Sequence, residues 1–190
     1  TGLEESAGWW NSLAAGDFDN DGDIDYVAGN VGLNTFYKAS AAYPARIYAA
    51  DYNDDGGYDA IPTIYLPDLN GQQKEFPAFG RDDMIKQMIG FKARFTNYNT
   101  YALATIGEVL TTEDVKKSLR LQATTFSSCF IRNNGNSHFE IIPLPAAAQL
   151  SSVFGMIADD VDDDSFLDII INGNDYGTEI FTGRYDAFQG

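Results

Sequence analysis

The stretch AAGDFDNDGDIDYVAGN, residues 14–30, sets Asp17, Asp19, Asp21, Asp23 and Asp25 at alternate positions around one glycine, Gly22. A row of carboxylates this dense repels itself unless a cation sits among it. Hard oxygen donors spaced two apart around a sharp glycine turn suit Ca²⁺ far better than zinc or copper. An EF-hand would flank such a loop with helices and close it with a bidentate Glu at position twelve. Here position nine is Asp25, position twelve is Ala28, and the flanks SLAAGDF and IDYVAG read as β-strands. The loop is therefore predicted to be the calcium-filled tip of a β-hairpin.

The order apolar strand, acidic loop, apolar strand returns twice. In ARIYAADYNDDGGYDAIPTIYL (45–66), Asp51, Asn53, Asp55 and Asp59 stand where Asp17, Asp19, Asp21 and Asp25 stood, and Gly56 matches Gly22. An amide oxygen still coordinates calcium while the loop's negative charge falls, and Gly57 takes a position where only a backbone carbonyl is needed. In SVFGMIADDVDDDSFLDIIINGND (152–175), Asp160, Asp162, Asp164 and Asp168 are in register, with Phe166 at the carbonyl position. Ser165 replaces the turn glycine; a left-handed serine costs about 1 kcal/mol, so this site is expected to be the weakest or the most distorted. Three copies in one register point to an internal repeat.

The composition narrows the function classes. With 190 residues, 44% apolar and 21% charged, the chain has the makings of a sizeable core and is not a disordered one. Its net charge of -16 and pI near 4.1 argue against nucleic acid and anionic membrane surfaces as partners. Bound divalent cations would cancel part of that charge, because much of it lies in the short Asp runs. Cys129 is the single cysteine, so no internal disulfide or zinc cluster is available, and its apolar context predicts a buried structural thiol. No run reaches the length of a transmembrane span. The first residues, TGLEESAGWW, have neither the charged nor the apolar region of a signal peptide, and without an initiator Met the chain reads as a processed or excised piece. An extracytoplasmic location is expected from the loops, since millimolar calcium outside the cytoplasm fills weak sites that cytosolic levels leave empty.

Elsewhere, Trp9 and Trp10 can stack on sugar rings, but adjacent strand residues point to opposite faces, so one is expected in the core and one at the surface. QQKEFPAFG reads as a strand, and TTFSSCFIRNNGNSHFEIIPLP as a hairpin turning at Asn133, Asn134, Gly135 and Asn136. Between them, RDDMIKQMIGFKARF puts Met84, Ile85, Met88 and Ile89 at helical spacing, and TTEDVKKSL starts at a Thr111 or Thr112 cap. Residues 81–120 are thus predicted to be a helical insertion with a core-packing stripe. YGTEIFTGRYDAFQG ends the chain as one strand and a turn.

The motif AGDFDNDGDIDYVAGN resembles the FG-GAP or VCBS repeat of integrin α-chain propellers and of many exported bacterial proteins. FIRNNGNSHFEIIPLP followed by a fresh acidic loop is similar to that family's blade junction. GWWN, GNVGLN, RDDMIKQM, the YA at 101 and GRYDA further resemble bacterial proteins with an ASPIC/UnbV-type propeller. The resemblance spans nearly the whole chain and implies a mainly β fold: a partial β-propeller of about three blades, each with a calcium-clasped hairpin. The blades would carry loop 17–25, loop 51–59 with the helical insertion 81–120, and loop 160–168, in one propeller fragment over 1–190. The implied ligands are Asp17, Asp19, Asp21 and Asp25; Asp51, Asn53, Asp55 and Asp59; and Asp160, Asp162, Asp164 and Asp168, with carbonyls from Asp23, Gly57 and Phe166. A closed ring needs at least four blades, so the remainder of a longer chain or an edge-paired second copy is expected.

Three functions fit this reading. The first is a calcium-stabilised, non-catalytic binding or scaffold module of an exported or cell-surface protein, with a protein or glycan ligand. The second is a polysaccharide-active enzyme, with His138, Arg81, Asp82, Asp83 and Arg184 as candidates, although no Ser/His/Asp order or phosphate loop is present. The third is a lectin using Trp9 or Trp10.

Overall fold

The computed structural model describes residues 1–179 and 182–188 and is mainly β. In chain order the strands are β1 (Ser12–Gly16), β2 (Asp25–Gly29), β3 (Ala45–Ala50), β4 (Asp59–Pro67), β5 (Gln73–Pro77), β6 (Leu119–Ala123), β7 (Cys129–Asn133), β8 (Phe139–Pro143), β9 (Val153–Asp159) and β10 (Asp168–Gly173). Helices α1 (Arg81–Gln87), α2 (Phe91–Arg94), α3 (Tyr98–Ala102), α4 (Ile106–Val109) and α5 (Thr112–Lys117) lie between β5 and β6. The chain forms two compact units, one of Thr1–Lys38 with Thr124–Gly190 and the other of Ala39–Ala123. All the sheets are antiparallel, and none closes on itself among the described residues.

In the first unit, β1 and β2 form the expected hairpin, with Gly16 opposite Asp25 and the acidic loop at its tip. β7 then pairs with β2 and β8 with β7, giving the order β1-β2-β7-β8, while β9 and β10 make a separate hairpin around the third loop. The turns leaving these strands are closed by buried amides. Asn30 takes Ser128 Oγ on its backbone N–H at 3.0 Å and donates its side chain to the Thr125 carbonyl at 3.2 Å. Gln149 accepts from Ser128 N at 2.9 Å and donates back to Ser128 O at 2.8 Å. Leaving such buried groups unpaired would cost about 1–3 kcal/mol each. Gly29 is required by close approach: a Cβ there would stand 2.6 Å from the Val153 carbonyl.

Several expectations in this unit are corrected. Asn133 is the last residue of β7, so the hairpin turn runs over 134–138, closed by Asn134 N–H donating to His138 O at 2.9 Å. Gly135, Asn136 and Ser137 are all left-handed there, which is why the turn is longer than four residues of Asn and Gly imply. Neither tryptophan lies in a strand and neither is buried; Trp9 is 44% and Trp10 37% exposed. Only Gly8 bridges to a neighbour, Thr125, so strand alternation does not apply. Trp9 packs on Tyr37 and Phe126, with ring centroids 5.1 and 4.7 Å away, and Trp10 Nε1 donates to Ser6 O at 3.0 Å. The terminal strand expected in 176–190 falls partly on residues 180, 181, 189 and 190, outside the described residues; a bridge between Asp175 and Tyr185 holds the part that is described.

In the second unit, β3 and β4 form a hairpin around the second acidic loop and β5 continues the sheet. β6 returns to the other side of β3, so the order is β5-β4-β3-β6, not the sequential order of a simple blade. The helices cover this sheet through Met84, Met88, Phe91, Phe95, Tyr101, Val109 and Leu110, packed with Tyr48 and Ile61. Ile85 joins that core but Ile89 is 73% exposed. The reason is a break: α1 stops at Gln87 and α2 starts afresh after Gly90, so the single long helical stripe does not form. Thr111 is the cap of α5, accepting from Asp114 N at 3.1 Å while Asp114 accepts from Thr111 N at 3.0 Å. On the sheet, Arg46 pairs with Glu75 at 2.8 Å, and Thr63 Oγ1 donates to the other Glu75 oxygen at 2.6 Å, so both oxygens of this largely buried carboxylate are hydrogen-bonded. No helix among the described residues is long and apolar enough to cross a membrane.

Cys129 is buried, and burial pushes its thiol from the ordinary 9.0 to about 11. It is expected to resist thiol reagents at neutral pH until the protein unfolds. Because the unfolded thiol ionises first, its contribution to stability is intact below about pH 9 and is lost between pH 9 and 11. Denaturant melts of Cys129→Ala and the parent across that window should therefore differ in slope; equal slopes would contradict the burial effect.

Candidate metal centre

The three acidic loops share one backbone. Asn20, Asp54 and Asp163 at the fourth position are left-handed, and so are Gly22, Gly56 and Ser165 at the sixth. The first carboxylate of each loop, Asp17, Asp51 or Asp160, accepts from the N–H groups of the fifth and sixth residues at 2.8–3.1 Å. The fifth, Asp21, Asp55 or Asp164, accepts from the seventh N–H at 2.8 Å. The ninth, Asp25, Asp59 or Asp168, reaches back to the N–H of the second residue at 3.1–3.3 Å. The first, fifth and ninth acids thus turn inward because each holds a local N–H, and the seventh residue, Asp23, Gly57 or Phe166, contributes backbone alone to this pattern.

In the first loop Asp17, Asp19 and Asp21 each bring a carboxylate oxygen within 4.8 Å of the others. Asp19 Oδ1 is buried without a hydrogen-bond partner, and so is the neighbouring donor Arg132 Nε. The other Asp19 oxygen lies 3.3 Å from Arg132 Nε on β7. Asp25 is fully buried and also accepts from Asn133 N at 2.8 Å, tying the loop to the third strand of its sheet. An all-oxygen donor set with an orphaned acceptor fits a hard divalent cation. The third loop instead brings together Asp160, Asp162 and Asp168, its first, third and ninth acids. Ser165 is left-handed, yet the loop keeps the local carboxylate-to-backbone bonds of the first. Space is not the issue at this position, since a Cβ on Gly22 or Gly56 would meet nothing within 4 Å. Asn20 Nδ2 donates to Ser165 O at 3.0 Å, linking the first loop to the third.

The second loop is built differently. No group of three acidic side chains converges there among the described residues. Asn53 donates Nδ2 to Gln87 O at 3.1 Å and accepts from Asp55 N through Oδ1 at 3.1 Å. Lys117 Nζ binds the Asp51 carbonyl at 2.7 Å, placing a cation beside the loop. Hydrogen bonds from Gly56 N and its neighbours hold the Asp51 carboxyl below its ordinary range, while burial pushes Asp59 above it. The helical insertion therefore braces this loop from α1 and α5. Arg132, Asn133, Gln87, Lys117 and the Asn20 link are the site residues that sequence reasoning missed; each acts across a long separation with no local signal.

The remaining candidates have other roles. His138 is exposed in the turn and bonds through its backbone. Arg81 donates Nε to Phe95 O at 2.6 Å and stacks on Tyr98, whose hydroxyl donates to Asp82; Asp83 pairs with Lys86. Arg184 stacks on Tyr176. Comparisons with protein-family models, curated proteins and solved structures return no match for this chain.

Two substitutions test the loop architecture. Asp25→Ala should destabilise the protein by about 1–3 kcal/mol even in chelator, because two N–H groups lose their acceptor. Asp168→Ala, at an exposed ninth position, should cost less. Ser165→Gly should stabilise by up to about 1 kcal/mol by relieving the left-handed serine. Urea melts check all three, and an Asp168→Ala loss equal to that of Asp25→Ala would contradict the burial ranking.

Proposed function

We propose that the chain is a calcium-stabilised, non-catalytic binding or scaffold module, a partial propeller of FG-GAP/VCBS type belonging to an exported protein. The observation that carries this reading is the shared carboxylate-to-backbone pattern of the three loops, together with the unpartnered Asp19 Oδ1 inside the first. Bound calcium would supply the positive charge that lets several carboxylates share one small volume, and each hairpin tip would become rigid. Asp17, Asp19, Asp21 and Asp25 would hold one ion and Asp160, Asp162, Asp164 and Asp168 another. The second loop, with Asn53 and the neighbouring Lys117, would bind more weakly than either. Rigid blades then present loops to a protein or glycan ligand, and strands such as β8, β5 and β6, each paired on one side only among the described residues, are where further blades or a second copy would join.

Calorimetry in EDTA and in millimolar calcium tests the proposal. Each filled site should add about 1–3 kcal/mol, raising Tm by several degrees, and Asp17→Asn should remove part of the gain. Identical melting curves with and without calcium would overturn it.

A further inference from the structure

Away from the acidic loops, the first unit holds a small hollow of about 240 Å³ lined by Trp9, Tyr37, Phe154, Tyr185, Asp175 and Glu179, among others. Trp9 and Phe154, both in this lining, are 44% and 47% exposed, so part of each ring is open to a ligand. The two formal charges in the lining are both negative, and no Lys, Arg or His faces them among the described lining residues. Asp175 spends one oxygen on Gly177 N at 2.8 Å; its other oxygen and the exposed Glu179 carboxylate have no counter-charge in the lining. Burial, with Tyr185 and Glu179 beside it, pushes the Tyr37 hydroxyl above its ordinary value, so this ring stays a neutral phenol.

We propose that this hollow is a binding site for a small alkylammonium cation, such as a methylated amine head group or a lysine side chain. Aromatic faces attract a positive charge through their quadrupole, and the effect grows when the cation leaves water. The Asp175 and Glu179 carboxylates add direct attraction. Size points the same way: the hollow is smaller than the roughly 300–1,000 Å³ of pockets for drug-sized ligands, so it fits a head group and not an oligosaccharide. None of this depends on metal in the loops, which are formed by other residues.

The test uses the full chain at fixed calcium, with choline as the probe. Trp10→Phe leaves Trp9 as the sole tryptophan, so its fluorescence reports the hollow, and calorimetric titration of the unsubstituted chain provides a second readout. Choline should give a saturable change, binding about ten-fold more tightly than its uncharged isostere with carbon in place of nitrogen. Glu179→Gln should weaken choline by a similar factor and leave Tm unchanged. No saturable signal through the tens of millimolar, or a methyl glucoside and the uncharged isostere binding as well as choline, would overturn the proposal. A calcium effect on Tm without choline binding would sink this inference alone.

Discussion

The constraint on which this protein depends is the crowding of carboxylates at hairpin tips. Each acidic loop solves the geometric half of the problem with its own backbone: the first, fifth and ninth acids are each held by N–H groups a few residues away. That arrangement orients the oxygens but leaves their charge uncompensated, and the chain meets this in two ways. In the second loop an amide replaces one carboxylate and Lys117 stands alongside, so compensation is built into the polypeptide. In the first loop Arg132 stands 3.3 Å from Asp19, whereas in the third loop three acids converge with no ion pair among the described residues. The dependence on an external ion is therefore expected to be uneven along one chain.

Burial grades the same three sites. The ninth carboxylate is fully buried in the first loop, nearly so in the second and exposed in the third. Only the first is bonded onward into a further strand, through Asn133. The hairpin of β1 and β2 is thus anchored within a four-stranded sheet, whereas that of β9 and β10 has no third strand among the described residues.

Local chemistry was legible in the sequence and distant pairing was not. Alternating acids around Gly22 located the first hairpin, the Thr111 cap located α5, and the apolar surroundings of Cys129 announced its burial, because each signal lies within a few residues. The return of β6 to β3, the pairing of β7 with β2, and the bracing of Asn53 by Gln87 connect residues far apart in the chain and leave no periodicity to read. Ile89 and the two tryptophans failed for a related reason. Period arguments assume that an element continues, and here α1 ends before Ile89 and no strand ever includes Trp9 or Trp10.

The position of β6 has a kinetic consequence. β2 and β7 must pair although the stretch 30–128 separates them, which by itself would be a slow, entropically costly closure. But β3 and β6 are the first and last strands of the intervening unit, and Ala45 lies opposite Ala123. Once that unit has folded, only residues 30–44 and 124–128 remain to be closed, a loop about two doublings shorter and roughly 1 kcal/mol less costly. The second unit then works as an entropic shortcut, and the sheet that carries the first acidic loop is expected to assemble after it.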